Sequence, residues 1–146
     1  LHDLIGDGFN VDHVLVGEAG LFTVETKTYH KPAKGKPEIL YDGEHVTVAG
    51  HVPDRDPIVQ AKAQAQWLQN ILQESTGRRF KVQPIVLYPG WFVTTTVKLN
   101  RDIPWVLNPK ALPSFLEHCS AQLSNHDAQL ATYHLSRFMR AAARVK

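Results

Sequence analysis

The chain has 146 residues, 43% of them hydrophobic, which is enough for one sizeable core and too little for two, so a single domain over 1–146 is expected. Sixteen Lys and Arg against 14 Asp and Glu leave a formal charge of +2, so any nucleic-acid contact must come from local placement of charge rather than from an overall basic balance. The single cysteine, Cys119, excludes an intramolecular disulfide and a cysteine-based zinc cluster, no apolar run is long enough to span a bilayer, and a reducing cytoplasm is the expected compartment.

The chain opens without an initiator Met in Leu1-His2-Asp3-Leu4-Ile5, which reads as the end of a strand, and it is therefore expected to be a piece of something longer. Val11 to Val16 is short and rich in β-branched residues. Gly17-Glu18-Ala19-Gly20 separates it from Leu21 to Lys27, so two adjacent strands joined by a tight turn are predicted. Lys31 to Pro37 reads as an exposed loop, and Glu44 to Ala49 as a short strand after the Asp42-Gly43 turn. Asp56-Pro57 is a helix start, with Asp as N-cap and Pro at the first helical position, and the helix is expected to run to about Ser75 and stop at Thr76-Gly77. Val82 to Tyr88 reads as a buried strand, Trp105 to Leu107 as a shorter one, and Pro109 to Cys119 and His126 to Val145 as two helices. Strands, helix, strand, then helices argue for an α/β domain with a mixed sheet, its core over about 1–107 and a helical part over about 108–146.

Chemistry concentrates in the paired strands. Residues two apart on a strand share a face, so Glu25 and Lys27 are aimed at one place, about 6–7 Å apart along the backbone. Asp12 interrupts the neighbouring strand in the same way. Two carboxylates on adjacent strands can converge on a hard, oxygen-liganded cation such as Mg²⁺ or Mn²⁺, which lowers the pKa of a bound water and stabilises charge on a phosphoryl oxygen. Lys27 would orient the attacking water or neutralise charge in the transition state. The same spacing also suits an ordinary ion pair on a strand face. On the helix, Gln60, Gln64, Trp67 and Ile71 fall on one line with Leu68 beside it, so two glutamines are expected on the stripe that faces the sheet. Gln60, one turn inside the helix start, is placed to reach the strand residues, and Gln64 either supports it or flanks the core.

These residues carry a resemblance. Gly8 to Gly17, then Gly20 to Tyr29, then Asp56-Pro57 with Gln60, in that order, resemble the nuclease-related domain (NERD) family, which is placed in the PD-(D/E)XK superfamily of restriction-endonuclease-like nucleases. The similarity covers about residues 1–107. It implies an αβββαβ core with a mixed central sheet, extended here by C-terminal helices. It implies that Asp12 and Glu25 are metal ligands, with the Thr26 backbone carbonyl as a third oxygen, that Lys27 is the catalytic lysine, and that Gln60 is the polar residue of the following helix. Mg²⁺ is the implied metal. The family usually carries an acidic residue on a helix before the first strand, and this chain starts after that point, so the first helix of the fold is expected to be missing from it.

The expected activity is metal-dependent hydrolysis of DNA phosphodiester bonds in DNA processing, with RNA as a possible substrate because nothing in these residues reads a 2′-hydroxyl. The alternative is a non-catalytic nucleic-acid-binding or assembly module on the same fold. Lys31, Lys34 and Lys36 cluster near Lys27 and are candidate phosphate contacts, although charged loops are usually just solvated. Arg137, Arg140 and Arg144 on the last helix read as a surface stripe. The eight histidines lack the spacing of a helical zinc site, and no Gly-rich phosphate loop or serine elbow is present. Trp67, Trp91 and Trp105 read as packing residues.

Overall fold

A computed structural model describes residues 2–6, 9–30 and 37–145, with side chains described over 11–30 and 37–141. Strands β1 (His2–Gly6), β2 (Phe9–Gly17) and β3 (Gly20–Thr26) form an antiparallel meander, followed by β4 (Glu38–Tyr41) and β5 (Val46–Val48). Helix α1 (Pro57–Thr76) leads to β6 (Val82–Leu87), β7 (Phe92–Thr95) and β8 (Trp105–Leu107), and the short α2 (Leu112–Glu117) and long α3 (Asn125–Val145) complete the chain. The main sheet has the order β1-β2-β3-β6-β8, and a second sheet has the order β5-β4-β7. Both are mixed: β6 lies parallel to β3 and to β8, and β7 parallel to β4. The result is the mixed α/β architecture expected of a restriction-endonuclease-like core.

Local chemistry accounts for most boundaries. Gly17 pairs with Gly20 across a two-residue turn, and Gly20 has a φ of 132°, which a side-chain-bearing residue rarely adopts. Asp56 caps α1 by accepting hydrogen bonds from Ile58 N at 2.9 Å and Val59 N at 3.3 Å, Pro57 fills the first helical position, and Gly77 closes the other end in the left-handed conformation. β6 is buried at every residue and carries a proline in mid-strand. Tyr88 N donates to Leu107 O, so stepping two residues back twice would pair the absent Pro84 N–H with Ile103 O. The Gln83 side-chain amide donates to that carbonyl instead, at 2.8 Å, which explains a buried glutamine at the strand start.

Three clusters make the core. α1 and α3 cover one face of the sheet, where Val11, Val14, Leu21, Ala65, Leu68, Leu72, Ala131 and Leu135 pack. The other face buries Phe22, Val24, Ile85 and Trp105 against Phe115 and Leu116 of α2. The start of α1 closes over the second sheet through Ile39, Tyr41, Ile58, Ala61, Tyr88 and Trp91. The last helices are thus part of one packed unit, not an appendage.

Some expectations need correction. The strand expected over Glu44 to Ala49 is only Val46–Val48, and β4 and β7, which make the second sheet with it, were not anticipated. The buried stripe of α1 runs through Ile58, Ala61, Ala65, Leu68 and Leu72, with Gln64 also buried. Trp67 and Ile71 lie beside that stripe and are only partly buried, because α3 takes that flank: Trp67 meets Phe138 edge-on with ring centroids 5.9 Å apart. Trp91 and Trp105 are core residues as expected, and Arg137 and Arg140 are exposed.

Candidate active site

The site lies where β3 and β6 end and α1 begins. In a parallel pair both carboxyl ends open on the same edge, and a helix that returns over the sheet brings its N-terminus towards that edge, which is where α/β sheets form clefts. Lys27 N donates to Leu87 O at 2.8 Å, so the β3 exit is tied to β6 as far as Lys27.

Asp12 reaches this edge from β2. The pairing of β2 with β3 reaches His13 opposite Val24, so Asp12 stands one residue beyond it, next to the Glu25 end of β3. Val11 and Val14 both bury in the cluster under α1 and α3, so the two-residue alternation of the strand breaks between them, at Asp12 and His13. At that break the Asp12 carboxylate accepts the Thr26 amide through Oδ2 at 3.2 Å, crossing to the strand that carries Glu25 and Lys27. One carboxylate oxygen of Asp12 therefore fastens the strand end.

Lys27 joins the other two residues. Its ammonium lies 3.1 Å from Glu25 Oε1 and donates to Gln60 Oε1 at 3.0 Å, with the Lys27 and Glu25 side chains 21% and 16% exposed. The expected reach of Gln60 to the strand is thus met by a direct hydrogen bond. Gln64, one turn further on, is buried. Glu25, Lys27 and Gln60 meet directly, and Asp12 is bonded to the Thr26 amide between Glu25 and Lys27, while Lys31, Lys34 and Lys36 lie outside the described residues.

The donor set suits a hard cation. Glu25 Oε2 is buried without a hydrogen-bond partner, and an acceptor left so costs about 1–3 kcal/mol unless something meets it. Among the described residues no group of three or more His, Cys, Asp or Glu side chains forms a self-contained cage. The Asp12 and Glu25 carboxylates and the Thr26 carbonyl are the oxygen donors that could hold such a cation, the ligand type Mg²⁺ takes together with water and substrate oxygens.

Sequence reasoning missed one neighbour. Tyr88, the residue after β6, is fully buried, its hydroxyl has no hydrogen-bond partner, and its ring stacks on Tyr29 at 6.0 Å. Burial, then Tyr29, Glu25 and Asp56, push its phenol well above the ordinary tyrosine range, so it stays protonated. The available signal was its place at the carboxyl end of a buried parallel strand, directly before Pro89-Gly90.

Fold and site together define a mixed α/β domain with an acidic and lysine-bearing centre at the carboxyl ends of parallel strands. The sequence model of the nuclease-related domain matches residues 1–89, and the chain belongs to that family; its function is nuclease-related. Comparison with curated proteins and with solved structures gave no match.

Proposed function

We propose that this chain is a metal-dependent nuclease of PD-(D/E)XK type that hydrolyses phosphodiester bonds of DNA, with Mg²⁺ or Mn²⁺ held by Asp12, Glu25 and the Thr26 carbonyl. The observation that carries this reading is the meeting of Lys27 with Glu25 at 3.1 Å and with Gln60 at 3.0 Å, beside an Asp12 already bonded to Thr26 N. A bound cation would lower the pKa of a water and offset charge on the phosphoryl oxygens. Gln60 and Glu25 hold the Lys27 ammonium in one place, so its charge is set before substrate arrives and no reorganisation is needed when charge develops on the phosphate. Lys27 thereby orients the attacking water or stabilises the departing charge. Lys31, Lys34 and Lys36, close to Lys27 in the sequence, are the phosphate contacts of this reading. The reading has DNA as partner in a reducing cytoplasm, with RNA as the comparison substrate.

Single-stranded, duplex and branched DNA, incubated with Mg²⁺, Mn²⁺ or chelator, test the proposal. The expected result is metal-dependent cleavage abolished by Glu25→Ala; no cleavage of any substrate with either metal would refute it. The 3.1 Å pair also favours a second reading, because Glu25 Oε1 is already engaged as in an ordinary ion pair. In that case the chain is a non-catalytic nucleic-acid-binding module, whose DNA binding is indifferent to metal and to Glu25→Ala.

A further inference from the structure

The sheet places one more polar side chain beside Glu25 and Lys27. β3 and β6 run parallel with Glu25 opposite Val86 and Thr26 opposite Leu87, so one further step brings Tyr88 abreast of Lys27. Neighbours abreast in a sheet share a face, and residues two apart on a strand share it too. Tyr88 therefore stands on the face of Glu25 and Lys27, covered by Ile58 and Ala61 from the start of α1.

Tyr88 is fixed through its backbone and its ring. Its backbone N–H donates to Leu107 O, its carbonyl accepts from Trp91 N, and its face stacks on Tyr29 with 16° between the planes. It cannot turn its hydroxyl to solvent without leaving the core. That hydroxyl is buried and unpartnered, and so is Glu25 Oε2. One is a donor without an acceptor, the other an acceptor without a donor, and they lie on the same face of adjacent strands. A buried water makes two to four hydrogen bonds to otherwise unsatisfied polar groups, and these two atoms are an acceptor and a donor of that kind.

We infer that Tyr88 is a positioning residue of the site: its O–H donates to one buried water, which donates to Glu25 Oε2, and the bridge holds the carboxylate so that Oε1 meets Lys27. Its consequence for metal binding rests on the nuclease reading; the bridge itself does not. A phenol is suited to the task because it offers the O–H donor that the unpartnered carboxylate oxygen lacks. Fixing the second oxygen of Glu25 limits the carboxylate to one rotamer, and partners of this kind behind a metal ligand change metal affinity about 10–100-fold when removed.

Tyr88→Phe keeps the ring, its packing and its stacking on Tyr29 and deletes only the hydroxyl. The decisive experiment is a double-mutant cycle with Glu25→Ala, read as melting temperature in chelator, so that neither activity nor metal is required. Tyr88→Phe is expected to lower the melting temperature by about 4 °C in the parent and to have no effect once Glu25 is Ala. Equal losses in both backgrounds, or no loss in either, overturn the bridge. Calorimetric titration with Mn²⁺ gives a second measure: about tenfold weaker binding in Tyr88→Phe is expected, with the exposed Tyr133→Phe as control. An unchanged Mn²⁺ affinity, in a parent that binds the ion, counts against the inference. A parent that binds no Mn²⁺ and cleaves no DNA ends the nuclease reading, while the chelator cycle still decides on Tyr88.

Discussion

Replacing Lys27 by Met keeps a side chain of similar length and removes the one charge that Glu25 and Gln60 share. The ammonium is 3.1 Å from Glu25 Oε1, a separation at which the attraction is about 1 kcal/mol in bulk water and about 5 kcal/mol at an effective dielectric near 20. Side-chain exposures of 21% and 16% place the pair between those limits, and ordering a lysine offsets up to about 2 kcal/mol of the gain. The variant also strips Glu25 of its cationic partner, and no protein group donates a hydrogen bond to its buried Oε2. A loss of about 2 kcal/mol follows, or roughly 7 °C in melting temperature for a domain of this size. Thermal unfolding in chelator at low salt reads it. The double variant Glu25→Gln/Lys27→Met removes both charges and is expected to recover most of the loss, because the penalty comes from an uncompensated carboxylate and not from missing packing. Under the nuclease reading, saturating Mn²⁺ also stabilises Lys27→Met at least as much as the parent, since a cation can take the place of the ammonium against Glu25. A Lys27→Met protein melting within about 1 °C of the parent, or a double variant no more stable than the single one, would refute the reasoning.

Asp12→Asn is expected to keep its oxygen on the Thr26 amide and hence the fold, while weakening Mn²⁺ binding; unchanged affinity in calorimetry would remove Asp12 from the ligand set. Asp56→Ala deletes the acceptor for two amides at the start of α1 and costs about 1–2 kcal/mol, whereas Asp56→Ser costs much less, a contrast urea unfolding resolves. Arg78 grips Asp127 with both guanidinium nitrogens and holds that carboxyl below its usual range. A depressed carboxyl contributes stability that is present above its unfolded value, about pH 4, and is lost as pH falls through the folded value. Arg78→Ala should therefore flatten the acid limb of a stability profile below about pH 4, and an unchanged profile would show that the pair adds nothing in solution. Tyr41 titrates on the opposite side. Burial, with help from Asp42, lifts it to about 12, so its contribution is whole below about pH 10 and disappears as pH rises through the folded value; Tyr41→Phe should remove that alkaline step.

The elements legible in the sequence are those whose signals are local. β2, β3 and β6 announce themselves by β-branched and apolar runs, and α1 by Asp56-Pro57 at one end and Gly77 at the other, because caps and turns depend on a few neighbouring residues. The second sheet is different. Glu38–Tyr41 and Phe92–Thr95 are four residues each, and they pair with one another in parallel across all of α1 and β6. Nothing within either segment records that partnership. The stripe of α1 was misplaced for a similar reason: helical periodicity gives the spacing of a buried face, but which flank turns to the sheet depends on where α3 packs, and that is settled by contacts such as Trp67 with Phe138.

The site was more legible than the fold around it. Strand alternation alone put Glu25 and Lys27 on one face, and a polar residue one turn into a capped helix must lie close to the helix start, so the 3.0 Å bond from Lys27 to Gln60 follows from two local rules and the return of α1 over the sheet. Asp12 needed more, since its carboxylate reaches Thr26 N at a break in the alternation that begins at Val11. Tyr88 was hidden by its surroundings. Every residue of β6 is buried, so no polar and apolar alternation marks which side chains face the helix and which face α2. A tyrosine at the end of such a run reads as packing until its hydroxyl is found without a partner. The residues that chemistry singles out are thus visible one at a time in the sequence, whereas the presence of Tyr88 on the same sheet face as Glu25 follows only once the parallel pairing of β3 with β6 has set the two strands side by side.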